Sequence, residues 1–311
     1  MHPDQHDHIH IKFTEFVAPS EGLRLITDGP NHAVWFTLGL NLIAEMKMDG
    51  AVTQYGTASL NTQPLGIISG PDNALWFTES LAAKIGRITT QGAISEYPIP
   101  AQNLAPQRIT AGPDGNLWFT CFSDPVSLGN PGQIGRITPQ GVITLFELPT
   151  PNSFPVGIAR GPEGSQSVWF CESNNKIGRI TTDGTITEFD LQAPSAPVEI
   201  VSGPDCAMWF TENQACSIGR ITPDGSVKHY AIPSNSAPYG ITLGPDDAMW
   251  FVAGQGVLGR ITIDGEITEY PFPTPNSGPQ SITVGPGHAL WFTEGAANVN
   301  KIVRAELRRH H

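Results

Sequence analysis

Charge is scarce in this chain of 311 residues: Asp, Glu, Lys and Arg together make up 15%, and the net charge is −12. No block of Lys or Arg interrupts that acidity. Nucleic acid and anionic membrane are therefore excluded as partners, because phosphate contacts need clustered cations. No apolar run approaches the ~18 residues of a transmembrane helix. No stretch holds the 3.6-residue apolar period of an amphipathic helix either. Residues 1–10 show no charged and then apolar leader, which points to the cytoplasm. Gly-x-Ser-x-Gly, His-Glu-x-x-His and phosphate-loop patterns are all missing.

Cysteine is equally sparse. Cys121, Cys171, Cys206 and Cys216 have no metal-ligand spacing. The first two read as small strand residues. Cys206 and Cys216 flank one strand and could pair in an oxidising setting, whereas cytosolic thiols stay reduced. Histidine clusters at His2, His6, His8 and His10 and again at His310 and His311, in segments that read as tails.

What is present is periodic. Trp35, Trp76, Trp118, Trp169, Trp209, Trp250 and Trp291 are the chain's seven tryptophans, and each is followed by Phe. Their spacings are 41, 42, 51, 40, 41 and 41 residues. One unit reads Pro-x-Gly-Ile-x-x-Gly-Pro-Asp-x-x-Leu-Trp-Phe-Thr-Glu, a short loop, Lys-Ile-Gly-Arg-Ile-Thr, a turn, and Gly-x-Ile-Thr-Glu-Tyr. That is four short β-rich runs per period, each bounded by turn formers such as Asp114-Gly115, Asp183-Gly184, Asp224-Gly225 and Asp264-Gly265. Four strands per unit of about 41 residues is a β-propeller blade.

The ends complete the pattern. After Lys301-Ile302-Val303-Arg304 the last unit lacks its fourth run, while Phe13-Thr14-Glu15-Phe16 near the start matches fourth runs such as Ile186-Thr187-Glu188-Phe189. The sequence thus predicts an all-β, seven-bladed propeller of four-stranded blades, its ring closed by the N-terminal strand pairing into the last blade. Residues 1–10 read as a flexible His-rich N-terminus, 11–304 as the single propeller and 305–311 as a C-terminal tail. One loop, Phe122 to Gln133, has twelve residues where the second unit has five, and reads equally as a lid or as a tolerated insertion.

Polar residues that recur at one slot in most units read as scaffold. Arg87, Arg136, Arg179, Arg220, Arg260 and Arg304 share one slot, and Glu79, Glu172, Glu212 and Glu294 share another. Both sets are expected to make blade-to-blade hydrogen bonds or ion pairs. A site needs asymmetry, and that appears at x-Gly of Pro-x-Gly-Ile. There the units carry Arg24-Leu25, Leu65-Gly66, Gln107-Arg108, Val156-Gly157, Val198-Glu199, Tyr239-Gly240 and Gln280-Ser281. Arg24, Gln107, Arg108, Glu199, Tyr239 and Gln280 are therefore the candidate site, at the mouth of the central channel, for a small-molecule or peptide ligand. The alternative for Arg108 and Glu199 is that they pair with each other or with neighbouring blades.

The repeated unit closely resembles that of the streptogramin B lyase (virginiamycin B lyase) family, over about residues 11–304. The resemblance implies a metal-assisted elimination. A Mg2+ ion polarises the ester of a cyclic depsipeptide antibiotic, and a histidine base opens the ring without adding water. It places a substrate-contacting and a catalytic histidine at positions that are Tyr239 and Gln280 here. A metal-binding glutamate falls at Gly278 and a second at Glu294. An amide cannot serve as general base, and Tyr239 could do so only with a strongly lowered pKa. Three readings of this sequence therefore stand: lyase activity, non-catalytic binding at the channel mouth, and an enzyme with a different substrate built on Arg108, Glu199 and Tyr239.

Overall fold

The computed structural model describes residues 9–101, 103–123, 131–192, 194–296 and 298–309. It contains seven four-stranded antiparallel sheets. Blades 1 to 6 follow chain order, opening with the strands Leu23–Asp28, Pro64–Ser69, Leu104–Ala111, Pro155–Arg160, Pro197–Ser202 and Pro238–Leu243. Blade 7 is built from both ends of the chain. Its strands Pro279–Gly285, Ala289–Glu294 and Lys301–Arg309 are joined by Ile9–Val17, which pairs antiparallel with the last of them.

The closing pair runs from Ile9↔Arg309 to Val17↔Lys301. It is longer than the sequence suggests. Residues 305–309 lie in the sheet rather than in a tail, and Ile9 and His10 open a strand, because each backbone finds its ladder partners in the other. Residues 1–8 and 310–311, and most of the long loop after Phe122, fall outside the described residues.

Each Trp-Phe pair lies on the second strand of its blade and is wholly buried. The tryptophan stacks on the aromatic residue of the fourth strand, as in Trp35–Tyr55 (5.5 Å, 13°) and Trp209–Tyr230 (5.6 Å, 16°). In blade 7 that partner is Phe16, stacked on Trp291 at 5.9 Å and 14°. The phenylalanine covers the glycine opposite it on the third strand. A Cβ at Gly178 would sit 2.0 Å from the Phe170 ring, so Ile-Gly-Arg needs its glycine for close packing. The core is not central. It is divided into clusters between adjacent blades, such as Trp76 with Leu117 and Phe119, or Trp250 with Leu290 and Phe292.

The repeated arginines behave differently from expectation. Arg87, Arg220 and Arg260 pair within their own blades, Nε to Asp72, Asp205 and Asp246 at 2.6, 2.6 and 2.7 Å. The Asp of Gly-Pro-Asp is brought under the Trp–Arg pair by its turn, so the nearest acid is local. Other members do reach across blades, Arg136 to Thr182 O (2.9 Å) and Arg179 to Pro223 O (3.0 Å). The repeated glutamates also depart from expectation. Glu79, Glu172 and Glu294 are fully buried, and neither oxygen of any of them meets a hydrogen-bond partner. Glu212 alone of the four is paired, to His229 Nδ1 at 2.8 Å and Ser217 Oγ at 2.7 Å. All four cysteines are free thiols, including Cys206 and Cys216. No helix among the described residues is long and apolar enough to cross a membrane.

Candidate functional site at the channel mouth

The register between first and second strands slips at Pro-x-Gly-Ile in every blade, for example between Pro64 and Ile67 and between Pro279 and Ile282. This is a β-bulge, and bulges re-aim side chains. The two slot residues lose their ladder partners, and the threonine of Trp-Phe-Thr compensates. Thr78 Oγ1 accepts from Gly66 N (2.9 Å), Thr120 Oγ1 from Arg108 N (3.1 Å) and Thr211 Oγ1 from Glu199 N (3.0 Å). The same hydroxyls donate to the slot carbonyl of the next blade, Thr78 to Gln107 O, Thr120 to Val156 O and Thr211 to Tyr239 O, as Thr293 does to Arg24 O, each at 2.8 Å. The mouth is therefore aligned blade to blade. Repetition concealed this role of the threonine in the sequence.

The bulge sends the two slot positions to different places. The second position lines the channel: Leu25, Gly66, Arg108, Glu199, Gly240 and Ser281 bound a cavity of about 200 Å³. Arg108 and Glu199 meet there, Nε to Oε2 at 3.1 Å. Pairing, the alternative left open by the sequence, is what the structure shows. Burial raises the Glu199 pKa, while Arg108 pulls it down. Replacing Arg108 by Met should therefore cost about 2 kcal/mol, since it strands a mostly buried carboxylate. Denaturant unfolding checks this, and adding Glu199→Gln should restore most of the loss.

The first slot position faces the mouth. Tyr239 and Gln280 from adjacent blades, together with Arg108, line a recess of about 410 Å³ floored by Gly254, Gly278 and Gly295. Tyr239 is 37% exposed. The other two first-position candidates, Gln107 and Arg24, are not part of this recess, and neither is Glu199, which lies in the channel. Gln107 is pinned by Nε2 to Ser80 Oγ (3.1 Å) and Ala105 O (3.0 Å). Arg24 has a buried Nε with no partner, and its burial lowers the guanidinium pKa. Gly254 and Gly295 were invisible as site residues because glycine carries no chemistry, and Gly278 stood out only as the place of an expected glutamate. Their absence of side chains is what opens the recess.

A model of the virginiamycin B lyase family matches residues 6–196 and 126–310. A streptogramin B lyase structure is 35% identical with a TM-score of 0.85, over 96% of this chain and 98% of that one. The selenomethionine-substituted virginiamycin B lyase from Staphylococcus aureus is 36% identical, TM-score 0.86, over 96% of this chain and all of that one (100%). The chain belongs to the virginiamycin B lyase family. A catalytically inactive histidine-to-alanine variant of the Staphylococcus aureus enzyme with quinupristin is similar to the same degree, 36% identical with a TM-score of 0.84. The WD40 propeller of Doa1, at 10% identity and TM-score 0.78, shares the fold alone. No curated protein sequence matches.

Within this family member, the residues at the mouth do not suit a Mg2+ ion held by protein carboxylates. Glu294 is wholly buried and does not line the recess. Burial pushes its pKa to about 7, although the Ser277 hydroxyl, near it but outside hydrogen-bond geometry, favours the anion. Its charged neighbours are Glu15 and Lys301 on the outer strands. At Gly278, φ is +63°, and a Cβ would meet Ala296 at 3.0 Å. Among the described residues no three acidic, histidine or cysteine side chains gather as a metal set. Mg2+ prefers an octahedron of hard oxygens. One buried carboxyl outside the recess and the Arg108 guanidinium within it offer the opposite.

Proposed function

We propose that this propeller binds a cyclic depsipeptide, or another ester-bearing small molecule of that size, in the recess between blades 6 and 7, and holds it without opening it. One observation carries the reading: Arg108, Tyr239 and Gln280 converge on one recess, while the positions where the resemblance expects a histidine base and a metal-binding glutamate hold an amide and Gly278. Elimination needs a group that accepts a proton and keeps it through the transition state. The Gln280 amide accepts and donates hydrogen bonds but does not take up a proton at neutral pH. Arg108 and Tyr239 instead supply donors for ester and amide carbonyls, and the Tyr239 ring supplies apolar contact. The four free thiols suit a reducing cytoplasm.

A second reading is favoured by the 35–36% identity to lyases and by Glu294, a carboxyl with a pKa of about 7 beside the recess residue Gly295. In that reading Glu294 serves as the base.

Quinupristin separates them. Titration should give saturable binding, weakened at least about fivefold by Tyr239→Ala or Gln280→Ala. After prolonged incubation, with and without Mg2+, chromatography and mass spectrometry should return the parent compound. A product of unchanged mass and shifted retention, lost in Glu294→Gln, would establish the second reading. Absence of binding would remove the first.

A further inference from the structure

Blade 4 lacks a carboxylate that its scaffold is built to receive. In blades 2, 3, 5 and 6 the Asp four residues before the tryptophan accepts the indole N–H: Trp76 to Asp72 (2.9 Å), Trp118 to Asp114 (3.0 Å), Trp209 to Asp205 (3.0 Å) and Trp250 to Asp246 (2.7 Å). In three of these the other oxygen takes the arginine Nε–H at 2.6–2.7 Å. One carboxylate thus bridges indole and guanidinium. Blade 1 substitutes Asn31 for the Asp and Glu45 for the Arg. Blade 7 uses Pro286 O for Trp291 (3.3 Å) and Glu306 for Arg304 (2.8 Å).

Blade 4 keeps both donors and loses the acceptor. Gly161 to Trp169 contains two more residues than Gly203 to Trp209, so Ser165 occupies the Asp position and Glu163 is moved out to an exposed turn. The turn closes through Gly161 N to Ser167 O (2.9 Å) and Ser165 N to Pro162 O (2.9 Å). Trp169, 1% exposed, has an indole N–H with no partner. Arg179 pairs in register with Trp169 and stacks on it at 5.5 Å, as Arg220 does on Trp209 at 5.8 Å. Unlike its counterparts, Arg179 has no carboxylate within ion-pair distance among the described residues. Arg179 lines a recess of about 390 Å³ with Ser165, Gln166, Ser167, Thr181 and Thr182. The acid at its edge, Asp183, is engaged by Thr181 Oγ1 and by Thr185 N (3.1 Å).

We propose that this recess binds a carboxylate, which bridges Trp169 Nε1–H and Arg179 Nε–H as aspartate does in blades 2, 5 and 6. A buried donor left unpaired is costly, and a charge-assisted bridge removes that cost on binding. The carboxylate can belong to a free small acid or to a peptide terminus. The site is remote in chain and chemistry from the channel mouth and does not depend on it.

The test follows the seven indole N–H resonances of the 15N-labelled full chain at constant pH and ionic strength, with Trp169 assigned by Trp169→Phe. Formate should shift the Trp169 resonance saturably at millimolar concentration and leave the other six in place. N-acetylglycine producing the same shift would mean that a peptide terminus also fits, and formate alone that the site takes only small acids. N-acetylglycinamide should do nothing. Ser165→Asp should fix the resonance at its bound position, abolish the response and raise Tm by about 2 °C. Arg179→Gln should abolish the response in a chain that still melts cooperatively. The proposal fails if Trp169 does not move with either acid, or if it moves equally with chloride or with the amide. It also fails if Glu163→Gln shifts the resonance in the absence of acid, because Glu163 would then fill the site itself.

Discussion

Removal of residues 1–17 should cost at least about 5 kcal/mol, of the order of the whole stability of a typical domain, and leave a chain without a cooperative melt. The strand Ile9–Val17 supplies the whole fourth position of blade 7. Phe16 stacks on Trp291, and Phe13 packs edge-on to Phe272 and Phe292 at 6.4 and 6.5 Å. Ile9 and Ile11 join the same cluster. Partly burying each such ring contributes about 1–2 kcal/mol, before any ladder hydrogen bond is considered. Glu15 adds contacts to Lys301 and Thr274, both at 2.8 Å. Deletion also opens a nine-residue edge, Lys301–Arg309, for pairing with other chains. Thermal denaturation and size-exclusion chromatography check both effects, and a synthetic peptide of residues 1–17 should restore the melt when added in excess. A truncated chain that melts cooperatively at the full-length temperature would show that six blades and three strands suffice.

That closure was legible because Phe13-Thr14-Glu15-Phe16 repeats a pattern found in complete units. The Trp-Phe period was legible for the same reason. Sequence periodicity reports what every blade does, and the Trp stack and its glycine seat recur in blade after blade. The mouth was legible only as a slot. Arg24, Gln107, Tyr239 and Gln280 occupy equivalent positions, yet only Tyr239 and Gln280 share a recess. The difference arises from neighbours distant in sequence: Ser80 holds Gln107 and burial encloses Arg24. The separation of Gln107 from Arg108, one toward Ser80 and the other into the channel, follows from a bulge, and strand register is a tertiary property. The glutamates of Trp-Phe-Thr-Glu were misread in kind. Repeated acids among repeated bases suggest ion pairs, but the lysine that follows Glu79, Glu172 or Glu294 is drawn to another acid, as Lys84 is to Glu96 (2.7 Å) and Lys301 to Glu15 (2.8 Å), and only Glu212 is paired, to His229.

Those isolated glutamates should make the protein more stable at pH 5 than at pH 8. Burial raises Glu79 and Glu294 from an ordinary 4.5 to about 7, and Glu172 to about 8. Glu96 beside Glu79, and Glu188 and Asp190 beside Glu172, raise them further, against the pull of Lys84 and Lys176. The folded chain therefore holds protons that the unfolded chain releases above pH 4.5. Wherever the native state binds more protons, stability falls as pH rises. The contribution is fully present below pH 4.5 and is lost as pH climbs through 7 to 8. At 1.36 kcal/mol per unit of pKa, Glu79 and Glu294 each correspond to roughly 3 kcal/mol and Glu172 to about 5 as upper bounds, and a net fall of about 4 kcal/mol allows for partial solvent relaxation around them. Glu15, Asp72, Glu96, Asp114 and Asp205 are shifted down and act in the opposite sense, but on the acid side of 4.5. The maximum should thus lie near pH 5. Denaturant unfolding from pH 4.5 to 8.5 measures the slope. The triple variant Glu79→Gln, Glu172→Gln, Glu294→Gln should flatten it, because a neutral amide in each pocket has no proton to lose. An equal slope in both proteins would mean that the three carboxyls are already ionised in the fold. Retention of the slope in Glu294→Gln alone would assign it to blades 2 and 4, away from the mouth.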